Sequence, residues 1–172
     1  MTKAVFAGSF DPFTLGHKDI LERASKMFDE VIVALAKDNM KNSVSIDDRM
    51  NVIFQSVSGI KNVTVVPFSG LLTDFMKRMG VINLLRGVRS GSDYEYERNL
   101  YASYRSQMPE IEVVLLPAKN EYLHVSSTVV RELVRLNGCI DSYVDNNAKD
   151  KIIKLYKLSL IHISEPTRLA LI

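Results

Sequence analysis

The sequence predicts an α/β fold: a parallel sheet of five strands with helices on both faces and further helices at the C-terminal end. Three observations predict it. Apolar runs of strand length alternate with stretches whose apolar residues recur at helical spacing. The strand runs carry few polar residues, as strands covered on both faces do. The connections are long enough for right-handed crossovers between parallel neighbours. Sheets of this kind take ligands beyond the carboxyl ends of their strands, where strand order reverses.

Each element has its own signature. Ala4-Val5-Phe6-Ala7 is the first strand run, ended by Gly8. After a loop, Ile20, Leu21, Ala24, Met27 and Phe28 recur at helical spacing. Val31 to Ala36 is an almost uninterrupted apolar run. Ser45-Ile46-Asp47-Asp48 reads as an N-cap with an acid at its third position, opening a helix through Val57. Val63 to Val66 is a strand, and Leu71 to Met79 a helix closed by Gly80. Val81 to Leu85 is a strand, Asp93 to about Gln107 a helix, and Val113 to Leu116 a strand. Ser127 to Leu136 reads as a helix stopped by Asn137-Gly138, followed by a weaker helix from about Asn147 to Lys157.

These elements make one domain over residues 1–157. Residues 158–172 read as a non-native or disordered tail: Pro166 interrupts any helix, and the segment ends in Leu169-Ala170-Leu171-Ile172 with no polar counter-face. It resembles a read-through into flanking DNA.

Composition bounds the function classes. The 172 residues are 47% hydrophobic and 24% charged, a soluble globular mix. Lys and Arg total 22 against 20 Asp and Glu, so a net charge of +2 gives no broad field for nucleic acid or a membrane surface. A lone cysteine, Cys139, excludes an intrachain disulfide framework and suits a reducing, cytoplasmic compartment. Val31 to Ala36 is far too short for a bilayer span. His17, His124 and His162 are scattered without zinc-ligand spacing.

Three loops could carry chemistry. The first runs from Gly8 to His17 and enters the first helix, where free N–H groups and the helix dipole favour an anion. Ser9 can donate there, and the glycines let a phosphate approach the backbone. The competing reading is an ordinary strand-to-helix turn with His17 exposed. The second is Leu85-Arg86-Gly87-Val88-Arg89, whose two guanidiniums suit phosphate oxygens. Alternatively, these arginines are solvated and bridged to Asp93, Glu95 or Glu97. The third is Val125-Ser126-Ser127-Thr128, with more hydroxyls than one N-cap needs, although ordinary capping competes. Lys41, after the second strand, adds a mobile cation. A nucleoside triphosphate and a second phosphorylated substrate would use all of these groups. Tyr94, Tyr96, Tyr101 and Tyr104, with Arg98 and Arg105, fit core or subunit packing at helical spacing better than RNA stacking. Cys139 reads as a small packed residue near a helix end.

Together, Gly8-Ser9-Phe10-Asp11-Pro12, Thr14-Leu15-Gly16-His17, Leu85-Arg86-Gly87-Val88-Arg89, Asp93-Tyr94-Glu95-Tyr96-Glu97 and Val125-Ser126-Ser127-Thr128 closely resemble the bacterial phosphopantetheine adenylyltransferases, from about Lys3 to Lys157. The Thr-x-Gly-His element marks the wider nucleotidyltransferase superfamily. The resemblance implies a Rossmann-like fold and an enzyme joining ATP to 4′-phosphopantetheine, giving dephospho-coenzyme A and pyrophosphate. It further implies a Mg2+ requirement and a cytoplasmic homohexamer.

Carried over by residue, His17 would stabilise the transition state beside the ATP phosphates. Ser9 and Phe10 would contact ATP, with Ser9 also touching the pantetheine phosphate. Lys41 and Arg86 would hold that phosphate, and Leu72 would lie along the pantetheine arm. Gly87, Val88, Arg89 and Glu97 would line the ATP site. Tyr122, Leu123, His124, Val125, Ser126, Ser127 and Thr128 would close over the nucleotide. No protein side chain is assigned to the metal. Ser9 stands where Thr is commoner, Thr128 replaces a serine, and His124 takes a place often aromatic or apolar. A transferase acting on another acceptor, such as nicotinate mononucleotide, is the nearest rival. A catalytically silent nucleotide-binding module is the second.

Overall fold

The computed structural model describes residues 1–37 and 44–163. In chain order the elements are β1 (Lys3–Gly8), α1 (Leu15–Ala24), β2 (Glu30–Ala36), α2 (Ile46–Val57), β3 (Val63–Phe68) and α3 (Leu72–Met79). They continue with β4 (Asn83–Val88), α4 (Gly91–Gln107), β5 (Glu112–Pro117), α5 (Ser127–Arg135) and α6 (Asn146–Ile163). A single 3-10 turn at Asn120–Tyr122 lies between β5 and α5.

All five strands pair in parallel in the order β3-β2-β1-β4-β5. The chain builds outward from β1 to β3, then returns to place β4 on the other side of β1. This is the Rossmann-like arrangement expected, and its reversal of strand order falls between β1 and β4. Side chains of successive strand residues point to opposite faces. Phe6, Val31, Val33 and Leu35 therefore join one core cluster, with α1, α2, α5 and α6. Val5, Ile32 and Ala34 join another, with Phe75 and Met76 of α3. Burial on both faces explains the apolar run in β2: each such Val or Leu removed from water contributes about 1.5–3 kcal/mol.

The boundaries differ from the expected ones where pairing or capping outranks hydrophobic pattern. α1 starts at Leu15, a turn earlier than its apolar periodicity, because the Thr14 side chain accepts from the His17 N–H as N-cap. It stops at Ala24 rather than reaching Phe28. β4 runs on through Arg86 and Gly87, which lie in register with Leu115 and Leu116 of β5. Ladder hydrogen bonds thus keep a polar stretch in the strand. β3 continues through Pro67, which an edge strand tolerates. At α2, Ser45 accepts from the Asp48 N–H at 3.1 Å and donates to its carboxylate at 2.8 Å, and α3 closes on left-handed Gly80.

Three further differences concern the C-terminal half. α6 carries on past Lys157 to Ile163, while residues 164–172 lie outside the described ones. Cys139 is exposed rather than packed, because α5 has already ended before it. Of the tyrosines on α4, Tyr101 and Tyr104 pack against the second core cluster, whereas Tyr94 and Tyr96 are 50% and 60% exposed. Among the described residues, no helix is long and apolar enough to cross a membrane.

Candidate active site

A cleft of about 410 Å³ opens at the carboxyl ends of β1 and β4, at the reversal of strand order. Its floor is Phe6, Ala7 and Gly8 of β1, and its walls come from α1, the β4–α4 segment and the stretch leading into α5. Gly8 makes room for a close approach: a Cβ at this position would lie 3.1 Å from the Phe10 ring, which would have to shift by a few tenths of an ångström. Gly87 is equally constrained, since a Cβ there would meet Ile20 at 3.2 Å. A Cβ at either place would crowd a side chain that lines the cleft, Phe10 or Ile20.

His17 sits at the third position of α1 and closes a reciprocal cap. The Thr14 N–H donates to His17 Nδ1 at 3.1 Å, and the His17 N–H donates to Thr14 Oγ1 at 3.4 Å. A backbone N–H can only donate, so Nδ1 is unprotonated and the ring's proton is on Nε2. The ring packs against Phe10 edge-on at 5.1 Å and Phe13 at 5.4 Å. Burial, followed by the positive charges of Arg89 and Arg86, lowers its pKa to about 4. At neutral pH His17 is therefore an uncharged hydrogen-bond donor. It is half-buried in the cleft lining rather than an exposed helix residue.

The depressed pKa has a sign that can be checked. Unfolded chains protonate this histidine below about 6.5, while the folded ring stays neutral down to about 4. Its contribution to stability is therefore full above 6.5 and is lost as pH falls through that window. Ring 15N NMR of the free protein is expected to show the Nε2–H tautomer and a midpoint near 4. A midpoint near 6.5, or an Nδ1–H ring, contradicts the geometry.

Both arginines after the β4 apolar run face the cleft while bonded to acids. Arg86 donates from Nε and Nη2 to Glu97 Oε1 at 2.9 and 2.6 Å, and from Nη1 to the Ala7 carbonyl at 2.8 Å. Burial opposes its charge, but the hydrogen bond and charge of Glu97 outweigh that and raise its pKa. Glu97 is 5% exposed, and its second oxygen, Oε2, has no hydrogen-bond partner among the described residues. Arg89 contacts Asp93 at 3.2 Å and reaches the Val125 carbonyl at 3.3 Å, so it ties α4 to the segment before α5. Ion pairing and cleft placement, alternatives on sequence grounds, coexist because each acid fixes a guanidinium at the cleft.

The hydroxyl run at the start of α5 divides its duties. Ser126 accepts from the Val129 N–H as N-cap, and Ser127 donates to the Pro12 carbonyl at 2.7 Å. Thr128 is exposed and accepts from Arg131. The cleft gathers Ser9, Phe10, His17, Arg86, Gly87, Arg89, Glu97, Tyr122, Val125, Ser126 and Ser127. Val88, Leu123, His124, Thr128 and Leu72 lie outside that lining. Leu72 packs on the second core cluster, and His124 stands edge-on to Tyr143 at 5.3 Å. Lys41 lies outside the described residues. Thr14, Ile20, Asp93 and Tyr96 also face the cleft. Helical spacing offered a signal for two of them: Ile20 lies three residues after His17, and Asp93 four after Arg89.

Known proteins share this architecture. The family described as cytidylyltransferase-like matches residues 5–133. A phosphopantetheine adenylyltransferase of Tolumonas auensis is 45% identical over 151 residues, covering 87% of this chain and 92% of its own. That of Dictyoglomus turgidum is 38% identical over 159 residues, covering 92% and 99%. Among solved structures, the Plasmodium falciparum nicotinic acid mononucleotide adenylyltransferase complexed with APC gives a TM-score of 0.68 at 14% identity, covering 95% of this chain and 99% of that one. A bifunctional NMN adenylyltransferase/ADP ribose pyrophosphatase from Francisella tularensis, complexed with AMP and Mn ion, gives 0.69 at 18% identity, covering 93% and 52%. At such low identity these two show a shared fold only.

Proposed function

This chain belongs to the phosphopantetheine adenylyltransferase family, within the cytidylyltransferase-like group, and we propose that it transfers the adenylyl group of ATP to 4′-phosphopantetheine by direct in-line attack. The products are dephospho-coenzyme A and pyrophosphate. The observation that carries this reading is the convergence of His17, Arg86, Arg89 and Ser9 in one cleft at the strand-order reversal.

The chemistry suits those groups. The attacking phosphate oxygen is already ionised at neutral pH, and pyrophosphate is a stable leaving group. No enzymic nucleophile is needed, so no covalent enzyme intermediate forms. A phosphate oxygen of phosphopantetheine bonds to the α-phosphorus while the bond to the bridging oxygen breaks, and pyrophosphate leaves with that electron pair. Catalysis then consists of alignment, which supplies about 7–11 kcal/mol, and charge neutralisation. His17 donates its Nε2 proton in a hydrogen bond that strengthens as charge builds on the α-phosphate. Arg86 and Lys41 hold the acceptor phosphate, with Leu72 along the pantetheine arm. Arg89, Gly87 and Glu97 line the nucleotide side with Val88 beside them, and the segment from Tyr122 to Thr128, of which Tyr122, Val125, Ser126 and Ser127 face the cleft, closes over it. Phe10 and Ser9 complete the ATP contacts.

Mg2+ belongs to this reading, neutralising triphosphate charge when bound. Among the described residues no three His, Cys, Asp or Glu side chains cluster as a metal cage. The ATP phosphates and water would supply its ligands, as is common for this ion, with the hard Ser9 and Ser126 hydroxyls of the cleft lining beside them. The reading also includes a cytoplasmic homohexamer. It is supported by α4, where only Glu97 of seventeen residues is buried, leaving a long face for a second copy.

Incubation with ATP, Mg2+ and 4′-phosphopantetheine is expected to release pyrophosphate and dephospho-coenzyme A together. ATP binding without product favours a silent binding module, and product only from another acceptor assigns a different transferase. Light scattering at six times the 19.4 kDa chain mass supports the hexamer, and a monomer mass removes it.

A further inference from the structure

Beneath the β1–α1 loop lies a buried polar cluster that the cleft chemistry does not use. Asp11, Arg49 and Tyr156 are 3%, 2% and 3% exposed. The Tyr156 hydroxyl, on α6, donates to Asp11 Oδ1 at 2.5 Å. Arg131 of α5 donates to the Asp11 carbonyl at 2.5 Å, and Ser127 to the Pro12 carbonyl at 2.7 Å. Arg49 of α2 donates to the Ser9 carbonyl at 2.6 Å and to Ala36 from both Nη atoms. Three helices therefore hold this one loop through four polar side chains.

What the loop presents upward is the cleft. Ser9 and Phe10 line it directly, and Thr14 at the loop's end sets the His17 ring through Nδ1. Phe10 adopts φ of +45°, a left-handed conformation that a non-glycine residue holds only under external constraint. Among the described residues of α6 the buried positions are Ala148, Ile152 and Tyr156, one stripe at every fourth residue. A phenylalanine at the last of these would pack as well, so packing does not explain the hydroxyl. Burial and the neighbouring Asp11 carboxylate push the Tyr156 pKa up, so the group keeps its proton and donates. Tyr156 does not line the cleft.

We propose that Tyr156 is a positioning residue for adenylyl transfer: its bond to Asp11 holds the β1–α1 loop in the shape that presents Ser9, Phe10 and His17 to the nucleotide. The proposal rests on the adenylyl-transfer reading above for its consequence, and on the loop's geometry alone for its cause.

The test is Tyr156→Phe in the full chain, which removes one oxygen and keeps the ring. Assayed well below the melting temperature, kcat is expected to fall about tenfold, with KM for ATP and the calorimetric ATP Kd rising several-fold. Backbone amide resonances of Ser9, Phe10 and Thr14 should move, and the His17 ring signals with them. A lower Tm with unchanged kcat, KM, Kd and loop resonances means a structural role only and overturns the proposal. Asp11→Asn weakens the same bond from its acceptor end with α6 unaltered. It should change the same quantities in the same direction, and it decides the matter should Tyr156→Phe not fold. An inactive wild type would sink the assigned reaction instead, while ATP affinity and the loop resonances still decide the positioning role.

Discussion

Replacing His17 with Ala is expected to lower kcat by at least about 100-fold while the fold survives. The magnitude follows from the kind of group removed. A preorganised donor whose hydrogen bond strengthens in the transition state is worth about 3–4 kcal/mol. His17 is preorganised on both sides. Its Nδ1 is occupied by the Thr14 N–H, and the ring is wedged against Phe10 and Phe13. A neutral donor is also the suitable form, because a cationic ring could be drawn into ground-state binding of the triphosphate. The structural cost is small by comparison. Thr14 still caps the helix through the N–H of residue 17, and losing the reciprocal half of a capping box costs on the order of 1 kcal/mol. Circular dichroism and Tm should thus stay close to wild type while single-turnover rates collapse. Near-normal turnover in this variant would remove His17 from the mechanism.

Arg86→Ala is expected to produce a double loss that the right second substitution separates. Its guanidinium offers charge-assisted bonds to an acceptor phosphate, so kcat/KM for phosphopantetheine should fall at least about 100-fold. The same change strips Glu97 of its partner and leaves a buried carboxylate uncompensated. Breaking a buried pair costs about 3–5 kcal/mol. The lower end applies, since the Arg86 side chain keeps 23% exposure. Arg86→Met combined with Glu97→Gln removes both charges together and should recover most of the lost Tm. It should recover none of the kcat/KM. If activity returned along with stability, Arg86 would be a fold residue and not a phosphate ligand.

Much of this site was legible because its parts are short and local. Gly8 to His17 is one contiguous loop, and the anion-ready character of a loop feeding a helix needs no distant residue. Arg86 to Arg89 and Ser126 to Ser127 are similarly compact. Legibility failed where backbone pairing or a distant partner decides. Arg86 and Gly87 lie inside β4 because β5 pairs with them. The local pattern offered Asp93, Glu95 and Glu97 alike as partners for the two arginines, and only the fold pairs Glu97 with Arg86, eleven residues away, and Asp93 with Arg89. Nor could the local pattern show that Tyr156 would lie under Asp11, a contact across 145 positions of sequence.

Periodicity and capping residues, whose physics acts within a few positions of the chain, were enough to specify an α/β chain with five parallel strands and a basic pocket hidden in a molecule of net charge +2. Strand order, the sharing of each arginine between an acid and the cleft, the tautomer of His17 and the burial of Asp11 and Arg49 were settled only in three dimensions. Those features depend on which distant groups are brought within about 3 Å of one another and on how much water that contact excludes. Neither quantity is a property of any local stretch of sequence.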